Sequence, residues 1–103
     1  TIEDMKKNEL IGPIVSHAGD GNFHVALLID KKSDEELKKL DDFLIRISER
    51  AIRMDGTCTG EHGVGQGKRK YMLKELGGAV DIMKKVKNAF DPNKIMNPGK
   101  LFL

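Results

Sequence analysis

The 103-residue sequence predicts an α+β fold, a fragment of antiparallel sheet carrying two strands here with about three packed helices. Two short runs at residues 11–16 and 23–30 are rich in Ile, Val, Leu and Phe, as strands are. Behind Ser33, apolar residues recur at steps of three and four, the helical period. Glycine and proline pairs then divide the rest of the chain into short helical pieces.

Taken in order, residues 1–10 read as polar and peripheral, the tail of a helix. The first strand, IGPIVS, contains Pro13, which places it at an edge or at its own start. His17-Ala18-Gly19-Asp20-Gly21-Asn22 is a turn with two glycines able to adopt positive φ, and FHVALLID follows as the second strand. Ser33 with Glu36 is a capping-box pattern. Leu37, Leu40, Leu44, Ile47, Ala51 and Met54 then form one stripe of a long amphipathic helix, which Asp55-Gly56 ends, the glycine being suited to the left-handed position. Residues 57–67 form a glycine-rich loop leading into a helix that runs to about Leu76. Gly77-Gly78 breaks it, and Val80, Met83, Val86 and Phe90 describe a third helix that stops at Asp91-Pro92. Asn97-Pro98-Gly99 predicts a last turn before the apolar end Leu101-Phe102-Leu103. Two strands alone seldom make a stable sheet, so further strands are expected elsewhere.

Composition excludes several classes. Lys and Arg number 18 against 16 Asp and Glu, a net charge of +2, too even to argue for nucleic acid. Lys68-Arg69-Lys70 is the one basic knot, and a solvated helix face accounts for it. No run approaches the roughly 18 apolar residues of a membrane span. No secretory signal pattern is visible, so a secreted protein is not expected. The single cysteine, Cys58, cannot form an internal disulfide, and a reducing compartment is the simpler assumption. A first residue of Thr leads us to expect a processed or excised piece.

Every histidine falls in one of two glycine-rich loops. His17 and His24 bracket the first, and Glu61-His62 sits in the second. Two imidazoles and a carboxylate suit Zn, Mn or Fe with positions left for water or substrate. An ordinary hairpin turn and a surface carboxylate account for the same residues without a metal. Asp20 and Asn22 could orient the imidazoles or cap the turn. Lys68 could bind a substrate carboxylate or stay in solvent. Cys58 with His62 four residues on could support thiol chemistry, although a small buried thiol is the commoner outcome. Phosphate-loop readings fail: Gly63 to Gly67-Lys68-Arg69 is one residue short of a Walker A loop and lacks its Ser or Thr, and Gly63-Val64-Gly65-Gln66-Gly67 lacks the third glycine of a dinucleotide fingerprint.

His17-Ala18-Gly19-Asp20-Gly21-Asn22-Phe23-His24 resembles the H-x-G-D-G-N-[LF]-H motif of the C-terminal domain of FAD-linked oxidases. The segment from Gly56 to Gly65, GTCTGEHGVG, resembles that family's second motif, and Asp91-Pro92 with Met96-Asn97-Pro98-Gly99-Lys100 its C-terminal signature. Order and spacing agree from about residue 11 to the end. Within the family the chain is most similar to cytochrome-type D-lactate dehydrogenases and the glycolate oxidase D subunit.

The resemblance implies a ferredoxin-like domain whose C-terminal part is residues 1–103, with the flavin-binding domain absent and FAD bound mainly there. It implies His17, His24 and Glu61 as ligands of a divalent metal and His62 as the general base that removes the 2-hydroxyl proton of a small D-2-hydroxyacid. Expected partners are that substrate, the flavin-binding domain of the same enzyme and an electron acceptor such as a cytochrome or quinone. The chain alone is expected to be inactive, and to self-associate through apolar surface left open by a cut sheet. The expected location is mitochondrial in a eukaryote, and cytoplasmic or membrane-peripheral in a bacterium. Two other readings stay open: a non-catalytic metal-binding or assembly module, and a thiol-dependent enzyme on Cys58.

Overall fold

Pro13 decides where the first strand begins. In the computed structural model, which describes residues 1–102, β1 (Ile14–His17) pairs antiparallel with β2 (Asn22–Val25), with Ile14 opposite Val25 and His17 opposite Asn22. The pairing continues more loosely before β1, since the Ala26 N–H donates to the Pro13 carbonyl at 3.1 Å and the Leu28 N–H to that of Ile11 at 2.8 Å. Proline has no N–H to return the bond, so the regular ladder stops there. Both strands are therefore shorter than expected. Gly12 is required where the chains run closest, because a Cβ there would lie 2.2 Å from the Ala26 carbonyl oxygen.

Residues 18–21 close the hairpin as two overlapping turns, with the Asp20 N–H bonded to the His17 carbonyl at 3.0 Å and Gly21 at a φ of 70°. His17 and Asn22 belong to the strands rather than the turn.

α2 (Asp34–Arg53) is the spine of the molecule. Ser33 caps it as expected, its Oγ accepting from the Glu36 N–H at 3.3 Å. The Glu36 carboxylate reaches the Asp30 N–H, not that of Ser33, so only half of the capping box forms. At the other end, the Gly56 N–H bonds the Ala51 carbonyl and the Asp55 N–H that of Ile52, the two bonds of a Schellman cap. Here the expectation is corrected: Asp55, not Gly56, takes the left-handed position, at a φ of 58°. Gly56 is needed for a different reason, since its Cβ would stand 3.0 Å from the Ala51 oxygen.

Three elements dock on this spine. α1 (Ile2–Lys7) buries Met5 and presents Asp4 to α2, where Arg46 Nη2 and Arg50 Nη2 each donate to its carboxylate at 2.7 Å. The N-terminal segment is thus anchored, not peripheral. A 3-10 turn (Arg69–Tyr71) runs into α3 (Met72–Leu76), and both attach through Tyr71 Oη to the Leu44 carbonyl at 3.4 Å and Lys74 to Glu49 at 2.6 Å. Gly77, at a φ of 53°, turns the chain into α4 (Ala79–Phe90). The structure thus contains four α-helices among the described residues where about three were expected, because residues 2–7 form a helix of their own, α1.

Asp91 organises the end of the chain. Its carboxylate accepts from Lys87 and from the N–H groups of Ile95 and Met96, and Lys87 foremost holds it below the usual carboxylate range. The expected turn at Asn97 is present, and the Leu101 N–H then bonds the Gly65 carbonyl at 2.8 Å, latching this segment to the second glycine loop. Leu103 lies outside the described residues.

The buried apolar side chains are Met5, Phe43, Cys58, Tyr71, Met72 and Val80, with Phe43 only 1% exposed. The predicted stripe of α2 is corrected by this pattern. Phe43 and Ser48 are its buried residues, while Leu37, Leu44 and Met54 are exposed. On α4 only Val80 is buried, and Val86 and Phe90 stand in solvent. The radius of gyration of 16.0 Å explains this, since a close-packed chain of this length would measure about 13 Å. Apolar faces that periodicity marks as buried have no partner layer among the described residues. No helix of the described residues is long and apolar enough to cross a membrane.

Candidate metal and proton-transfer site

Strand register, more than turn closure, brings the two hairpin histidines together. Val15 lies opposite His24 and His17 opposite Asn22, so all four side chains share one face of the hairpin. His17 and His24 are then diagonal neighbours, within reach of one another across the pair. Their rings meet edge to face with centroids 5.8 Å apart.

The second loop delivers Glu61 and His62 to the same place. Gly63 and Gly65 have φ values of 74° and 51°, and this left-handed backbone bends the loop back towards the hairpin. Gly60 passes beside Asn22, where a Cβ would stand at an ordinary contact distance of 3.6 Å from the Asn22 Cβ. Glu61 Oε2 lies 3.5 Å from His17 Nε2, and Oε1 lies 3.1 Å from His24 Nε2. His62 Nε2 is 3.2 Å from Oε1 of the same carboxylate, and its ring is tilted against that of His24 at 5.5 Å. All four residues singled out by their chemistry therefore converge.

One donor atom from each of His17, His24 and Glu61 can be chosen so that all lie within 4.8 Å of one another. Bonds of about 2.0–2.2 Å to a common ion call for donors roughly 3–4 Å apart, so small side-chain rotations would be needed for the three to hold one ion. The donor set fits Zn, Mn or Fe. Burial differs across the cluster: the His24 side chain is 35% exposed and that of His62 82%. A half-buried imidazole beside an accessible one leaves room for a molecule to approach.

The cluster opens onto a cavity of about 560 Å³ lined by His24, Glu61 and His62 on one part and by Leu44, Ile47 and Lys68 on another. Neither Asp20, in the turn, nor Asn22, at the start of β2, hydrogen-bonds an imidazole among the described residues. Asn22 Oδ1 is nevertheless buried without a partner beside the cavity.

Cys58 also borders the cavity but is buried, and the Glu75 carboxylate accepts from its backbone N–H at 2.9 Å. Burial first, and Glu75 second, push the thiol up to about 11. Against its own burial, Glu75 is held below the usual carboxylate range by the Cys58 N–H and by Thr57. A thiol so disposed is protonated at neutral pH, which argues against nucleophilic chemistry there.

Sequence reasoning missed Ser48, which is 2% exposed and receives a hydrogen bond from Lys68 Nζ at 3.0 Å. Its signal was a hydroxyl set between Leu44 and Ala51 on an otherwise apolar helix face.

The family model described as FAD linked oxidases, C-terminal domain, matches residues 1–101. The chain belongs to this family. The FAD-linked oxidase domain is 52% identical over 103 residues to the D-lactate dehydrogenase [cytochrome] 1, mitochondrial, of Saccharomyces cerevisiae, covering 99% of this chain and 17% of the yeast protein. It is 48% identical to the D-lactate dehydrogenase [cytochrome], mitochondrial, of Arabidopsis thaliana, over 96% of this chain and 18% of that protein. It is 46% identical to the glycolate oxidase subunit GlcD of Bacillus subtilis over 84% of this chain and 18% of that one. The chain thus spans only 17–18% of the length of these relatives. They are oxidoreductases, and the domain is part of an enzyme family.

Proposed function

We propose that this domain supplies the metal ligands and the general base of a flavin-dependent D-2-hydroxyacid dehydrogenase, acting on a substrate such as D-lactate or glycolate. The observation that carries the reading is the convergence on Glu61: His17 and His24 from the hairpin strands, and His62 from the second glycine-rich loop, all reach its carboxylate. The names of the relatives support the reaction class.

His17, His24 and Glu61 would hold a divalent ion, which supplies Lewis acidity towards a bound hydroxyl and carboxylate. The flavin, bound mainly by a separate domain, supplies the acceptor for the hydride from C2. His62 takes the hydroxyl proton on its imidazole as the hydride leaves, so a 2-hydroxyacid becomes a 2-ketoacid. The Glu61 carboxylate beside His62 offsets the charge that the ring gains in that step. The exposed position of His62 suits a base that must first meet substrate and later give its proton to solvent.

In this reading residues 1–103 are the C-terminal part of a substrate and metal domain. The electron acceptor is a cytochrome or quinone, as the bracketed word in the yeast and plant names suggests, and the location is mitochondrial in a eukaryote. The exposed apolar residues Ile11, Val15 and Leu28 on and beside the hairpin favour self-association of the isolated chain. The test is reconstitution with a flavin-binding domain, followed by oxidation of D-lactate with a dye acceptor. Turnover that depends on added metal and on His62 is expected. Metal binding without turnover would favour a non-catalytic module instead.

A further inference from the structure

We infer that Lys68 is a substrate-binding residue of this cavity, the cation that receives the carboxylate of the acid brought to Glu61 and His62. The inference rests on the proposed function for the identity of that acid, but its structural basis is separate.

Lys68 differs from its basic neighbours. Arg69 is spent on the carbonyls of Gln66 and Gly99, and Lys70 lies over the Tyr71 ring at 5.3 Å. Lys68 is half-buried and lines the same cavity as His24, Glu61 and His62. Its ammonium donates to Ser48 Oγ, a buried hydroxyl, and sits 5.8 Å from the centroid of Tyr71. No carboxylate lies within salt-bridge distance of it among the described residues. An ammonium has three donors, and one hydroxyl satisfies only one of them. A cation drawn out of bulk water and left without a counter-charge favours an anion beside it.

Ser48 and Tyr71 act as the anchors. They belong to α2 and the 3-10 turn, so the ammonium is held between two packed elements and not on a free surface chain. Two features of a 2-hydroxyacid then find complementary groups within one cavity: its hydroxyl at Glu61 and His62, its carboxylate at Lys68. Apolar Leu44 and Ile47 line the same space, where a short aliphatic side chain can lie.

The experiment uses the 103-residue chain, with D-lactate as probe, in the presence and absence of one equivalent of Zn²⁺. Acylation of each lysine by a small amine-selective reagent is read by mass spectrometry, and zinc binding is followed by calorimetry in parallel. D-lactate is expected to slow acylation of Lys68 several-fold while leaving exposed Lys38 and Lys85 unchanged. Lys68→Met should weaken D-lactate binding at least tenfold without changing zinc affinity, and Lys68→Arg should restore most of it. Because protection is read on the unaltered chain, a poorly folded Lys68→Met does not spoil the test. Absence of selective protection in both arms, or equal D-lactate affinity in a folded Lys68→Met, overturns the inference. Protection without zinc binding supports Lys68 and removes the metal reading, whereas zinc binding without protection does the reverse.

Discussion

Nε2 of His24 and Nε2 of His62 approach the same oxygen of Glu61, at 3.1 and 3.2 Å, although one histidine comes from a strand and the other from the loop that carries the glutamate. Glu61 is the residue on which both loops depend. Replacing Glu61 by Gln, or His24 by Ala, is expected to lower Zn²⁺ affinity at least tenfold, about 1.4 kcal/mol or more. Calorimetric titration checks this, and an unchanged isotherm for either variant would remove that residue from the ligand set.

His62 is set apart from the ligands by its exposure. In a chain reconstituted with a flavin-binding domain, His62→Ala should reduce turnover by roughly 10²–10⁴-fold, the usual contribution of a general base. Flavin content and zinc affinity should stay near those of the unaltered protein. Near-normal turnover would sink the assignment.

Asp4 ties α1 to α2 and titrates in an unusual range. The Arg46 guanidinium above all, with Arg50, holds its carboxyl down to about 2 against an ordinary 3.8. A depressed carboxyl contributes stability that is present above pH 3.8 and is lost as pH falls towards 2. Asp4→Asn should cost about 1–2 kcal/mol at pH 7, allowing for the partial exposure of both arginines. The difference between variant and parent should shrink as the pH approaches 2. Thermal melts at pH 7, 4 and 2 measure it, and a difference that persists at pH 2 would contradict the pairing.

Cys58 should behave as a buried structural thiol. Its pKa is raised from an ordinary 9.0 to about 11, so the neutral form is favoured by folding and that contribution fades as pH rises from 9 through 11. Iodoacetamide should therefore modify the native chain much more slowly at pH 8 than the urea-unfolded one. Equal rates would show the thiol to be open. Cys58→Ala should leave zinc binding and D-lactate oxidation near normal.

The two residues after α2 make opposite demands. Asp55 holds a left-handed φ that glycine adopts without penalty, so Asp55→Gly should stabilise the chain by up to about 1 kcal/mol. Gly56→Ala brings a methyl against the Ala51 carbonyl and should destabilise it, by about 1 kcal/mol or more. Urea midpoints decide both signs.

The sequence by itself determined what depends on local chemistry. Ser33 caps α2 because a hydroxyl before a helical run satisfies a free N–H. Gly77 and Gly21 occur where the backbone takes positive φ. The four reactive side chains could be singled out because every histidine stood in a glycine-rich loop. The motifs around them marked the family in advance of any coordinates. Tertiary structure decided what depends on non-local partners. Periodicity names an apolar stripe on α2 and α4, but whether Leu44 or Phe90 is buried depends on which layer covers it. In this chain α1 docks on α2 at Arg46 and Arg50 and the 3-10 turn at the Leu44 carbonyl, while Phe43 and Ser48 are the residues of α2 that end up buried. Asp4 looked like one acid among many until the fold set it between Arg46 and Arg50. The separation of Lys68 from its basic neighbours likewise came from Ser48, a residue twenty positions earlier in the sequence, whose buried hydroxyl holds the ammonium at the cavity wall.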